Sequence, residues 1–206
     1  MKVHHKKMWM ALVLVFFLLA AAPAMADVKI VTGPSPIDGD VLIHPEDITI
    51  YNDKIAATFA VGSPNFWGMT NGSISNLAIM NGPENFGVNI VNDVEFLVNS
   101  WTASGGSLVA DVTIIKNTPE EGVIQAVSTW LGDGKTNALD VVTTYTLKKD
   151  STIIEMHTVV SNPGPDTYSD LRSGYSISGF AAYMFGPFGH HTPDTRARNI
   201  YVGSGV

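Results

Sequence analysis

Three segments decide the fold: VIQAVSTWL (Val123–Leu131), LDVVTTYTL (Leu139–Leu147) and TIIEMHTVVS (Thr152–Ser161). Each is rich in β-branched and aromatic residues, and each alternates apolar with polar positions. In the third, Ile154, Met156, Thr158 and Val160 share one side, while Glu155 and His157 share the other. The connectors, Gly132-Asp133-Gly134-Lys135 and Lys148-Lys149-Asp150-Ser151, are turn-forming. This spacing predicts an antiparallel meander with one buried face and one face that is wet or lines a groove.

The same reading extends toward the N-terminus. Asp47–Tyr51 and Lys54–Val61 flank Asn52-Asp53 and predict a hairpin. Ile74–Met80, Val88–Val98 and Ser107–Ile115 are further expected strands. They are separated by Asn81-Gly82-Pro83 and Ser104-Gly105-Gly106. Leu108, Ala110, Val112 and Ile114 form the buried side of the last of these, opposite Asp111 and Thr113. No helical period, fixed repeat or interdomain linker interrupts residues 27–206, so one all-β antiparallel sandwich domain is expected.

Met1–Ala26 has a different character. Lys2, Lys6 and Lys7 precede an apolar run from Met8 to Ala22, and Pro23 leads into the small-residue exit Ala24-Met25-Ala26. That layout is a secretory signal peptide cleaved after Ala26, too short and wrongly flanked for a membrane anchor. The chain has no cysteine, so neither a lipid-anchoring cysteine nor a disulfide framework is available. A secreted or periplasmic location without a stable membrane anchor is expected.

Cleavage removes three of the 12 basic residues and none of the 19 acidic ones, leaving 180 residues with a formal charge of −10. Such a surface lacks the basic footprint of a nucleic-acid binder and is repelled by anionic membranes.

From Gly174 to Gly189 the chain turns to Gly, Ser and aromatics, ending in Phe185-Gly186-Pro187-Phe188-Gly189. Beyond lie Arg196, Arg198 and a short expected strand at Ile200-Tyr201-Val202. The last residues, Gly203-Ser204-Gly205-Val206, are neither a cap nor a disordered tail. We therefore expect a sandwich incomplete at its C-terminus, belonging to a longer protein and leaving an edge strand unpaired.

Candidate binding residues come from the loop Ser63–Gly72, which carries Asn65, Phe66, Trp67 and Asn71. Aromatic faces pack against the C–H patches of sugars while side-chain amides bond hydroxyls. Trp101 could join Trp67 as a platform if the two converge; otherwise these rings are core material, as is expected for Trp130 beside Ser128 and Ala126. Asn71-Gly72-Ser73 also fits an N-glycosylation acceptor, relevant only on a eukaryotic secretory route.

For chemistry, His190-His191-Thr192-Pro193-Asp194 offers two imidazoles and a carboxylate. Neighbours on an extended segment point opposite ways, so a solvated loop is favoured over a metal site, and no metal or cofactor is expected. Glu155 and His157, two apart on one strand face, could serve as acid and base, as could His190 or His191 with Glu155 or Asp194. Asp170 and Arg172 have the same spacing and fit a surface ion pair. Asp133-Gly134-Lys135-Thr136-Asn137 lacks the full ligand set of a calcium loop and reads as a turn. No nucleophile elbow, P-loop or dinucleotide fingerprint occurs.

Val142-Thr143-Thr144-Tyr145-Thr146-Leu147, then Ile153–Val160, then Ser161-Asn162-Pro163-Gly164 form a strand, charged turn, strand and Gly/Pro turn. With Ile50-Tyr51-Asn52-Asp53 through Asn71-Gly72 as opening strands, this resembles the β-supersandwich domains of the galactose-mutarotase-like superfamily. The likeness spans more than half of the mature chain and rests on structural motifs. It implies the fold and a setting among secreted carbohydrate-active proteins, whose enzymes use a His and a Glu as acid and base. Neither motif maps onto His157, His190 or Glu155. Two functions therefore stand: an exported module that binds a glycan or packs on a partner domain, and a carbohydrate-active enzyme domain. A structural module separated from a larger hydrolase is the third reading.

Overall fold

The computed structural model describes residues 27–39, 44–61, 71–91, 93–99, 106–169, 171–178, 184–186 and 189–191. The expected signal peptide, Asn65, Trp67, Trp101, Asp170, Asp194 and the Ile200–Val202 strand lie outside them. Among the described residues every regular element is a strand: β1 (Lys29–Thr32), β2 (Ile48–Tyr51), β3 (Ile55–Phe59), β4 (Ile74–Ile79) and β5 (Asp93–Val98) come first. They are followed by β6 (Gly106–Ser107), β7 (Asp111–Asn117), β8 (Glu121–Trp130), β9 (Leu139–Lys148) and β10 (Ile154–Ser161). β11 (Ser173–Ser178), β12 (Met184–Gly186) and β13 (Gly189–His191) complete the order.

The strands form two main antiparallel sheets. The larger runs β1-β2-β3-β4-β5-β11 with β6 beside β5, and the smaller runs β10-β9-β8-β7. β12 and β13 pair separately as a two-stranded ribbon. The predicted meander is β8, β9 and β10, in register without a break from Trp130↔Leu139 to Ser161↔Asp140. The Asn52-Asp53 hairpin also forms, pairing Tyr51 with Ala56.

The sheets face each other in a sandwich-like arrangement. Ile50, Phe59, Ile74 and Val94 of the larger meet Ile124, Tyr145 and Leu147 of the smaller in one core. The Phe59 and Tyr145 rings lie 4.6 Å apart, and the Tyr145 hydroxyl donates to the Gly72 carbonyl at 2.8 Å across the gap. Burial supplies the driving force, about 25 cal/mol for each Å² of apolar surface removed from water. A second cluster at one end of the sheets joins Val98, Trp130, Leu139 and Val141, with Tyr168 and Leu171 against it.

Two expected boundaries shift. The strand expected from Val88 begins at Asp93 instead. Before it, Asn89 Oδ1 accepts from the backbone N–H groups of Leu77 (3.0 Å) and Val91 (3.2 Å), so a side chain occupies part of the ladder. The segment expected at Ser107–Ile115 divides into β6 and β7, because Ala110 N–H turns aside to the Asn71 carbonyl. β1 and β11 are strands that propensity did not mark. β11, with the sequence SGYSIS, is recruited by pairing along β5, with Tyr175 opposite Phe96.

Candidate functional site

A groove of about 250 Å³ lies at the Trp130 end of the sandwich, lined by Asn99, Trp130, Asp133, Lys135, Tyr168 and Leu171. Its floor is aromatic: the Trp130 and Tyr168 rings are 5.6 Å apart and inclined by 51°. Alternation on β8 turns Trp130 inward with Ser128 and Ala126, as expected, leaving it 8% exposed. Tyr168 arrives from the loop after β10 and stays half-buried. Gly132 lies between the rings, where a Cβ would sit 3.0 Å from the Trp130 ring and 3.1 Å from Tyr168. A side chain there would push into the floor.

The walls are two loops fastened by polar contacts. One follows β8, residues 131–138; the other follows β10, residues 162–169. Asp166 Oδ2 accepts from Thr136 N–H, from Asn137 N–H at 3.0 Å and from the Thr136 hydroxyl at 3.0 Å. In return Asp166 N–H donates to Asn137 Oδ1 at 2.8 Å, and the Tyr168 hydroxyl donates to the Asn137 carbonyl at 2.6 Å. Hydrogen bonds from the Thr136 and Asn137 backbone hold the Asp166 carboxyl below its ordinary range. Gly164 is where the loops touch: a Cβ there would fall 2.2 Å from the Asn137 side chain.

Lys135 completes the rim. Its Nζ lies 5.1 Å from the centre of the Tyr168 ring and donates to the Thr167 carbonyl at 2.5 Å. Opposite, Asn99 takes the left-handed backbone conformation (φ 55°). It exchanges two bonds with Arg172, N–H to carbonyl at 2.6 Å and Arg172 N–H to Asn99 Oδ1 at 2.9 Å. The groove thus pairs a fixed aromatic floor with a carboxylate, an ammonium and an amide. The Asp133–Asn137 segment is a turn, closed by Lys135 N–H to the Gly132 carbonyl at 3.1 Å.

Of the candidate site residues singled out from sequence, Asn71, Glu155 and His157 have described side chains, and these three do not gather here. Asn71 lines a separate, small cavity of about 20 Å³ with Ser73, Glu95, Ser128, Thr143 and Tyr145. That is room for about one water, not a sugar. Glu155 and His157 are exposed on the outer face of the smaller sheet, and Glu155 Oε1 accepts from Lys148 Nζ at 2.9 Å. Neither lines either cavity. His190 and His191 sit on β13 opposite Phe185 and Met184, with their side chains outside the described set. Among the described residues no group of three or more His, Cys, Asp or Glu is placed to hold a metal ion.

One acidic pair escaped the sequence reading. Asp93 and Glu95 are both buried on β5, 8% and 2% exposed. Burial first, then the charge of the neighbouring Glu95, push the Asp93 carboxyl up to about 8. The i, i+2 acids in DVEFLV were visible within an expected strand, but burial of that particular face was not.

Compared with known protein families, with curated proteins and with solved structures, the chain has no match.

Proposed function

We propose that the chain is an exported β-supersandwich-type module that binds a neutral saccharide in the Trp130–Tyr168 groove. The observation that carries this reading is the tilted ring pair flooring an open groove with polar groups at its rim. Ring faces take the C–H patches of a pyranose, and Asn99, Asp133 and Lys135 offer both donors and acceptors to hydroxyls. Asp133 and the acidic mature chain disfavour anionic sugars. Loops fastened in advance through Asp166 and Asn137 reduce the ordering cost of binding. The galactose-mutarotase-like resemblance agrees with this setting, and Glu155 and His157, lying on an open face, lend the enzyme reading no support.

Affinity should be low. A hexose has about a dozen non-hydrogen atoms, and at about 0.3 kcal/mol each that corresponds to about millimolar binding, tighter for longer chains. Glycan-array screening of the mature protein, followed by calorimetric titration, tests the proposal. Tyr168→Phe keeps the ring and should keep binding, whereas Tyr168→Ala should weaken it about tenfold or more while the fold persists. An array with no hit leaves the structural-module reading in its place.

A further inference from the structure

The smaller sheet ends in two unlike edges. β7 is interrupted by a register shift between Ile114 and Lys116 and carries a lysine, both devices that discourage pairing with another chain. β10 has neither. It pairs with β9 over eight successive positions without a shift, and its sequence, IEMHTVVS, has no Pro, Gly or Lys. Among the described residues β9 is its sole strand neighbour, and no loop backbone bonds to it.

We propose that β10 pairs with β10 of a second copy of this chain about a two-fold axis at Met156, joining two four-stranded sheets into one. The register follows from the residues on the outer face: Ile153, Glu155, His157 and Val159. In an antiparallel pair around a two-fold, directly opposed residues lie on the same face, so the axis must pass at a residue position. An axis at Glu155 opposes two carboxylates, one at His157 opposes two imidazoles, and one at Thr158 sets His157 against Val159. An axis at Met156 sets each Glu155 against His157 of the second copy, and each Ile153 against Val159 of the second copy. Imidazole donates an N–H to a carboxylate whether neutral or charged. Glu155 Oε1 is held by Lys148 Nζ, so the second oxygen is the one the imidazole takes. Ile153 and Val159 are otherwise 65% and 46% exposed, and this register covers both. Charge and apolar complementarity therefore select the same axis.

Sedimentation velocity of the purified protein across a concentration series tests this. The expected result is a reversible dimer in the micromolar range. Glu155→Lys should raise the dissociation constant about tenfold, because two symmetric cross-strand pairs turn unfavourable. Combining Glu155→Lys with His157→Glu restores the opposition of charges and should recover the dimer. Ile153→Lys, at an exposed site outside the ladder with β9, should weaken the dimer without affecting the monomer's thermal unfolding. A monomer at the highest soluble concentration overturns the proposal. A dimer indifferent to Glu155→Lys, or one that the double variant fails to restore, overturns it equally.

Discussion

The two sheets differ in what covers their outer faces. Behind the larger one, Ile37, Tyr51, Ala56, Ala78 and Met80 form a second apolar cluster, with Phe86 packed against it. A chain of side chains continues beside it. The Thr49 and Thr58 hydroxyls are bonded at 2.8 Å, Thr58 to Ser35 at 2.8 Å, Asn76 Nδ2 to Ser35 at 2.9 Å and Asn89 Nδ2 to Asn76 Oδ1 at 3.1 Å. Thr49, Thr58 and Asn76 are all buried. Among the described residues the smaller sheet has no such cover: Val127, Glu155, His157 and Val159 stand exposed on its outer side. A sheet buried on both faces is committed to stability, whereas one with a free face, a regular free edge and a groove at its end can engage other molecules. The larger sheet is the scaffold, and the smaller one carries the surfaces assigned to function.

Substitutions should follow this division. Phe59→Ala empties a fully buried site between the sheets and should cost about 3–5 kcal/mol in denaturant unfolding. A loss near 1 kcal/mol would mean that the sheets close less tightly than their side chains indicate. Asp93 gives the larger sheet a pH signature. The folded protein holds this proton up to about 8, while an unfolded Asp releases it near 3.8, so stability should fall as pH rises between those values. Asp93→Asn should flatten that fall in melting temperatures measured from pH 4 to 9; an unchanged slope would assign it to other groups. Asn76→Ala removes a buried amide that bonds the half-buried Ser35 and Asn89 side chains and should cost about 0.5–1.5 kcal/mol. On the open face, Val127→Thr should change stability by no more than about 0.5 kcal/mol. A large effect there would show that this face is covered after all.

Legibility in the sequence followed the same line. The meander was readable because β8, β9 and β10 each have one wet face, which prints as strict alternation. β2 and β3 are buried almost throughout, so alternation fades, and the Asn52 turn located them instead. Asn52 does more than turn the chain. Its Oδ1 accepts from Lys54 and Ile55 N–H, and its Nδ2 donates to the carbonyls of Lys148, at the end of β9, and Ser151, in the turn that follows. β11 was hidden because its partner, β5, is distant in the chain, and pairing outweighs the weak propensity of Ser and Gly.

The groove was only half readable. Trp130 was turned inward and assigned to the core, and the same residue also lines the groove. Tyr168 gave no signal, since its place depends on Asp166 and Asn137 bringing two loops together across 29 positions of chain. The loop aromatics Trp67 and Trp101 attracted notice because aromatic side chains beside amides are conspicuous in sequence, whereas convergence is a property of the fold.

Beyond Ala26 the chain has three tryptophans, Trp67, Trp101 and Trp130, and the indole N–H resonances of a ¹⁵N-labelled sample report on each of them. Titration with the best saccharide from the array should shift the Trp130 indole resonance, along with backbone amides of residues 132–137 and 166–169. Movement of Trp67 or Trp101 with Trp130 unchanged would contradict the assignment of the binding site to the end of the smaller sheet.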